Sequence, residues 1–349
     1  MPVLLQRVFT RRLFGRLALG LACLTVLAVA GLTIMALVVN ARGNRNWRAY
    51  QQQAHARGVK LALREFRPAA IPETENFAAI PIFEQAFANA RKGLKKVHAF
   101  DIVERDDWPD FGQVASRDLT NLSEFARFLR QAKRRAREHS SSGDSGREIL
   151  DALSAYEPDL RQLREASLRP GACFPVDWDA TFAADLPHYS VIQAATQLSR
   201  LRVLALLDQG TNDAALDELA AILRWGRHLE DEPGVIAGLT RMISVAAACN
   251  LVYEGLARHQ WRDADLQRIE AALSTENLLA SYSHALASDR ALMNAFIDTL
   301  LDPPVGVPFS TGPRPISAKV NGGRVSSRLR DPRRRPGRWQ LSLETRRPR

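Results

Sequence analysis

Hydrophobic and polar positions along the chain alternate with the period of a helix almost throughout. Leu122, Phe125, Ala126, Leu129 and Ala132 recur at i, i+3, i+4 and i+7, opposite Arg127, Arg130, Arg134 and Arg137. That pattern predicts an amphipathic helix ending near "HSSSGDSG". A second carries Ile149, Leu150, Leu153 and Tyr156. Pro158 interrupts it and suits the first turn of a new helix, which Leu160 and Leu163 continue. From His188 onward helix follows helix through short connections. One runs to about Gln209 with Ile192, Ala195, Leu198, Leu201 and Ala205 on one side, closed by Gly210, and Asn212 or Asp213 caps the next. That next helix, about 213 to 229, offers Leu216, Leu219, Leu223 and Trp225 to a core. Pro233 starts a third, "GVIAGLTRMISVAAACNLVYEGLA". Asp263 caps a fourth with Leu266, Ile269 and Leu273, and a fifth follows Thr275, with Leu279, Tyr282, Leu286, Met293, Phe296 and Leu300 at helical spacing. No run has the two-residue period of a strand, and no Asn-Gly or Asp-Gly turn sits between alternating segments. The expected class is all-α: a helical bundle or short α-solenoid.

The chain begins differently. Leu17 to Val39 is 23 residues without a charge, roughly 35 Å of helix, enough to cross a hydrocarbon core of about 30 Å. A secretory h-region is only about 7–15 residues long, so a retained anchor is expected, although "VNA" at Val39 to Ala41 has the form of a cleavage site. Arg7, Arg11, Arg12 and Arg16 precede the span; Arg42, Arg45, Arg48, Arg57 and Lys60 follow it. These nearly cancel, and length decides, because long domains translocate largely regardless of charge. Residues 1–16 are therefore expected in the cytoplasm and the body outside it, with Trp47 and Tyr50 in the interfacial belt. Arg11-Arg12 has the look of a twin-arginine export signal; in an arginine-rich chain the simpler reading is a basic pair that holds the N-terminus inside. The third helix of the body is also long and apolar, yet Arg241, Asn250 and Glu254 lie within it, and Arg at a bilayer centre costs at least about 3 kcal/mol. It reads as a core helix. The expected organisation is a cytoplasmic tail (1–16), an anchor (17–39), a stalk and Pro-rich strap (40–121), a helical body (122–302) and a basic tail (303–349).

Composition changes this picture in one respect. The net charge of +10 belongs to the last segment: residues 303–349 carry 12 Lys+Arg and two acids, and the remainder balances 36 basic residues against 36 acidic ones. Eight Pro and five Gly in those 47 residues mark a disordered segment. "RLRDPRRRPGR" is suited to anionic lipid headgroups or other polyanions, with nucleic acid the least available of these outside the cytoplasm. The shift in composition is equally what a departure from the ancestral reading frame would leave.

Candidate chemistry is sparse. "GDSG" (Gly143 to Gly146) shares letters with a serine-protease motif, but a triad is a matter of geometry, and here the tetrad lies in a Ser/Gly stretch between helices. The seven histidines are scattered, and no His-Glu-x-x-His, Cys-x-x-Cys, Walker loop or Gly-x-Gly-x-x-Gly occurs, so no metal, cofactor or catalytic set is assigned. "HLEDE" (His228 to Glu232) and the acids Asp101, Glu104, Asp106 and Asp107 read as solvated turns. Of three cysteines, Cys23 lies in the apolar span, and Cys173 and Cys249 could pair outside the cytoplasm. His188, after "LP", and Arg241, in the apolar helix, are the two candidate functional positions, because a polar group on a core-like helix must find a partner.

"LLDQGTNDAALDELAAILRWGRHLEDEP", residues 206–233, resembles one degenerate tetratricopeptide-type hairpin, through Gly210, Ala215, Leu219 and Pro233. More broadly, Trp47/Tyr50/Gly58, Asn76 to Pro81, Leu160/Leu163/Ala166/Arg169/Pro170, Leu186 to His188, Gly210/Ala215/Glu218/Leu219 and Leu229 to Arg241 resemble the ordered features of a set of single-pass, membrane-anchored bacterial proteins. The resemblance covers residues 17–300 and implies an inner-membrane location without implying an activity. The expected role is an anchored extracytoplasmic scaffold or protein-interaction module, with lipid around residues 17–39 and a protein partner on the helical body. The alternatives are an envelope hydrolase with an unsigned site and polyanion or lipid binding by the tail.

Overall fold

The computed structural model describes the backbone of residues 3–94, 100–104, 107–134 and 144–301. The arginine-rich segment 303–349, Gly143 of the "GDSG" tetrad and Asp106 lie outside these. Among the described residues the chain is all-α, with no strand and a single isolated bridge.

α1 (Val3–Ala56) is one helix of 54 residues, about 80 Å long. It does not stop where the apolar run does. Asn40 to Ala56 lacks proline and is rich in Gln, Ala and Arg, so nothing breaks the ladder until Gly58. There φ is +68°, and Gly58 and Val59 donate to His55 and Ala54 carbonyls, a Schellman end that only a residue at ease in the left-handed region makes without strain. Ala22 to Val39 presents its apolar side chains outward, with Leu24 to Val39 half or more exposed. The stretch is long and apolar enough to cross a membrane. Trp47 and Tyr50 stack on each other beyond it.

The strap belongs to the body rather than to a stalk, so the body begins near residue 60, not at 122. The carbonyls of Lys60 and Leu61 accept from Arg290 and Asn294, and Leu63 packs with Trp178 and Leu292 in a small second core. Further on, residues 73–80 lie along 169–173. Asn76 and Gly171 form the isolated parallel bridge. The Asn76 amide closes a two-way bond with Cys173, accepting from its N–H at 2.9 Å and donating to its carbonyl at 3.1 Å. The Arg169 guanidinium bonds the Glu73, Asn76 and Ala79 carbonyls at 2.7–3.2 Å. Backbone groups that would otherwise be orphaned in an extended segment are satisfied this way. The strap's Phe77, and Phe83 and Phe87 of α2 (Pro81–Arg91), are buried.

α3 (Leu122–Arg134) packs on α4 (Ser145–Leu153), and α4 on α6 (Pro187–Asp208). Pro158 lies in the first turn of α5 (Glu157–Ala166), as proline's missing N–H requires. α6 is the central helix: it touches α2, α4, α7 (Asn212–Arg227) and α8 (Val235–Ala257) and is buried nearly all round. Its five expected core residues are all buried. Gly210, at φ +69°, ends it. The caps differ from the expected ones. Thr211, not Asn212, stands at the N-cap of α7, and the Asn212 side chain donates to Asp265 at 3.0 Å. Asp263 is the first residue of α9 (Asp263–Ser274) rather than its cap; Asp265 instead accepts from the backbone and guanidinium of Arg262.

The largest departure is α10 (Leu278–Leu301). Its apolar stripe exists, but it faces outward: Leu279 is 77% exposed and Tyr282, Leu286 and Met293 are nearly half exposed. The buried side is Ser281, Ala285, Ser288, Ala291 and Leu292; the small Ser281, Ala285 and Ser288 let α10 approach α8 closely. α8 is split in the same way, with Ala237, Ala248 and Leu251 inside and Ile236, Leu239, Met242 and Ile243 outside.

Candidate functional site

His188 lies in the first turn of α6, which Pro187 opens. It is fully buried. Its ring stacks on Phe174 at 4.3 Å and lies parallel to Phe87 at 5.5 Å, so the strap helix and the 171–186 connection close over it. Nε2 donates to the Glu232 carboxylate, 2.9 and 3.0 Å from its two oxygens, and Nδ1 has no partner. The Tyr189 hydroxyl also bonds Glu232; burial first, then the Glu232 charge, raises it well above the usual tyrosine range. Cys173 shares this neighbourhood, and burial together with Glu232 pushes its thiol up. A nucleophilic cysteine needs the opposite shift, and a general base needs a path to substrate. The cluster packs the strap helix and the 171–186 connection against α6.

Arg241 is likewise buried, at 1% exposure. It pairs with Glu276 at 2.9 Å and Glu230 at 3.0 Å, and donates to the Ser281 hydroxyl. Arg227 joins the same Glu276 at 2.6 Å. Two cations and two carboxylates alternate, which limits the cost of taking Arg241 out of water. "HLEDE" is therefore only partly a solvated turn: Asp231 is exposed, Glu230 half exposed, and Glu232 is the buried partner of His188.

Two further buried carboxylates were not among the candidate positions. Glu218, among Arg164, Arg202 and Ser199, is held above the usual carboxylate range by burial, against the pull of those partners. Glu254 accepts from the backbone and hydroxyl of Thr120 and from Arg258. Both were legible. Ala215, Glu218, Leu219 and Ile222 share one buried face, and an acid at i+3 within such a face needs a buried partner.

The remaining candidates resolve into structural parts. Asp144 caps α4 by accepting from the Arg147 N–H and takes a second bond from Gln209. Ser145 opens that helix, and Gly146 lies against the end of α6, where a Cβ would meet Asp208 at 2.5 Å. "GDSG" is thus a capping turn with a close approach. Cys173 and Cys249, which could have paired, are both free thiols: Cys173 lies half-buried beside Asn76, while Cys249 is exposed on α8. Among the described residues no group of His, Cys, Asp and Glu could hold a metal ion.

One feature is left without a structural explanation. α8 and α10 run antiparallel, with Gly234 bonded to Ser288, Gly238 against Ala285 and Arg241 bonded to Ser281 along their seam. At 100° per residue, Met242 and Leu239 follow the α8 seam by about 70–130°, and Tyr282 and Leu286 follow the α10 seam by about 90–130°, in the same angular sense. On two antiparallel right-handed helices that places both stripes on one side. Leu239 and Met242 therefore lie on the same side as Tyr282 and Leu286, whose stripe on α10 also holds the half-buried Asp289; Ile236 and Ile243 point away from α10. Met293 and Ile297, both 45% exposed, extend that stripe along α10. The charged residues of α8 are Arg241 and Glu254, both buried, so its share of the face carries no charge.

No protein-family model matches the chain, and no curated protein or solved structure matches it either.

Proposed function

We propose that this chain is a membrane-anchored protein-interaction module. In this reading α1 crosses the inner membrane with residues 1–16 in the cytoplasm, and the all-α body, a short solenoid built from the successive hairpins α6–α7–α8, presents a docking face on the far side. The observation that carries the reading is the set of exposed apolar side chains on α8 and α10, Leu239, Met242, Tyr282 and Leu286 among them. Monomeric soluble proteins rarely leave so large a patch uncovered, and when they do it marks an interface. The two clusters with catalytic letters, around His188 and Ser145, are consumed by packing and capping, which favours binding over turnover.

The face suits protein better than lipid. An interfacial helix carries Lys or Arg along its polar border; α8 and α10 hold only Arg241, which is buried, and Arg290, which bonds the Lys60 carbonyl. From Val39 to Ala56 the helix continues for roughly 25 Å, so the body begins well beyond the apolar stretch. The test is a photo-crosslinking residue at Met242 in the full chain, in native membranes. A discrete crosslinked protein product that disappears when Leu239 and Leu286 are both replaced by Glu is expected. A wild-type face that yields none overturns the reading. Protease shaving of spheroplasts checks orientation, since the body should be cleaved from outside.

A further inference from the structure

We infer that Arg42, Arg45 and Arg48 form a binding site for the phosphate of an anionic phospholipid, in the leaflet on the body's side of the membrane. The inference rests on the reading of α1 as a membrane span and adds a ligand to it.

The three arginines share one face of α1. At 100° per residue they fall within an arc of about 120°, and Trp47 and Tyr50 lie on the opposite side of the helix. All three are exposed. None has a carboxylate partner among the described residues, and none finds one nearby in sequence, because residues 1–64 contain no acid. The first, Glu65, accepts from the Leu61 and Ala62 N–H groups beyond the end of the helix. Residues three apart on a helix are neighbours at about 5–6 Å, and like charges at that spacing destabilise it. A bound anion turns that repulsion into attraction.

Depth decides which anion. Val39 ends the apolar run, so Arg42, Arg45 and Arg48 stand about 4.5, 9 and 13.5 Å beyond it along the axis. The headgroup layer occupies roughly 5–8 Å outside the hydrocarbon core on each side. Side chains on a helix lean toward its N-terminus, which here is the membrane side. Arg45 shows the lean: its Nε lies 3.4 Å from the Ala41 carbonyl, one turn nearer the apolar run. Arginine stems are long enough to snorkel over the remaining distance, so all three guanidinium groups are within reach of the headgroup layer. Phosphate is the anion at that depth, and the guanidinium fork matches its oxygens two at a time. Trp47 and Tyr50, at the same level on the other side, are 42% and 43% exposed and are the residue types that settle at this interface. A lipid of net negative charge is preferred to a zwitterionic one, because three cations stand there without an acid.

Insertion does not account for the arginines. Positive charge is favoured on the cytoplasmic side of a span, and with residues 1–16 in the cytoplasm these three stand on the disfavoured side.

The experiment uses the full chain in vesicles of phosphatidylcholine containing a minority of phosphatidylglycerol. A photo-crosslinking residue replaces Ala41, which lies between Arg45 and Arg48 around the helix, and the attached lipid is identified by mass. Phosphatidylglycerol should be enriched over its bulk share by at least about fivefold, the effect of one cation near an anionic surface. The triple variant Arg42→Gln, Arg45→Gln, Arg48→Gln should return it to the bulk share. A second triple variant, Arg57→Gln, Lys60→Gln, Arg64→Gln, should keep the enrichment, because those cations lie beyond the headgroup layer. Residues 303–349 are present in every variant, so their own charge cancels in the comparison. A crosslinker at Val29 tests the span separately: lipid of bulk composition is expected there, and no lipid overturns the reading of α1 as a span. Lipid at Val29 without enrichment at Ala41 overturns the inference alone. So does enrichment that survives the first triple variant, or that the second abolishes equally.

Discussion

Replacing Arg241 tests how the interior tolerates charge. The guanidinium is 1% exposed and Glu276 4%, whereas the outer members of the chain of ion pairs, Arg227 and Glu230, are 40% and 41% exposed. At an effective dielectric constant of about 20, each contact of Arg241 with a carboxylate near 3–4 Å is worth roughly 4 kcal/mol before desolvation. Desolvation of the buried ions offsets much of this, so the pair's net worth is small while its rupture is expensive. Arg241→Met leaves Glu276 buried with only the half-exposed Arg227 beside it. The expected loss is about 3 kcal/mol, the low end of the range for breaking a buried pair. Adding Glu276→Met removes the stranded charge and refills the space with apolar atoms, while Arg227 and Glu230 relax into solvent. The double variant should therefore lose less than Arg241→Met alone. Urea denaturation of the full chain in a mild detergent, followed by helicity at 222 nm, gives the four corners of the cycle. Additive losses, or an Arg241→Met variant within about 0.5 kcal/mol of wild type (the range of an ordinary surface substitution), would refute the reasoning.

Three other outcomes follow from the same packing. His228, stacked on Phe77 at 4.3 Å and donating from Nε2 to the Ser167 carbonyl, is held below the usual histidine range, first by burial. The unfolded chain takes up a proton near pH 6.5 that the folded chain refuses, so its contribution is complete above that pH. It is lost as pH falls toward the depressed value, by up to about 1.4 kcal/mol per unit; His228→Gln should flatten that slope in stability measured against pH. Gly255→Ala sets a Cβ at 2.1 Å from Trp261 Nε1 and 2.5 Å from its ring, which should cost about 1–3 kcal/mol, read as a lower melting temperature. Asn76→Ala strips the Cys173 and Ala78 N–H groups of their acceptor, at about 1–3 kcal/mol. Limited proteolysis within residues 60–80 should then accelerate while the α6–α8 helices stay protected; uniform acceleration would show that the strap does not open separately.

The sequence by itself determined where the chain is helical and which side of each helix is apolar, because helical period and the conformational demands of Gly and Pro are local properties. The turn of Gly210, the new helix at Pro158 and the inward faces of α6 and α7 were all legible on those grounds. It also exposed Arg241 as a charge in need of a partner. What it could not supply is what lies opposite a given side chain. The acids that answer His188 and Arg241 come from 44 and 35 residues away, and Glu232 lies in a stretch whose letters describe a wet turn. Asn212 bonds a carboxylate beyond the next helix, and residues 60–80 join the body through bonds to α10 and to 169–173. Most plainly, the stripe on α10 has the spacing of a core face and yet is exposed. Periodicity fixes the direction in which apolar residues point, but only the packing of α8 against the opposite, small-residue side of α10 decides which direction is outside.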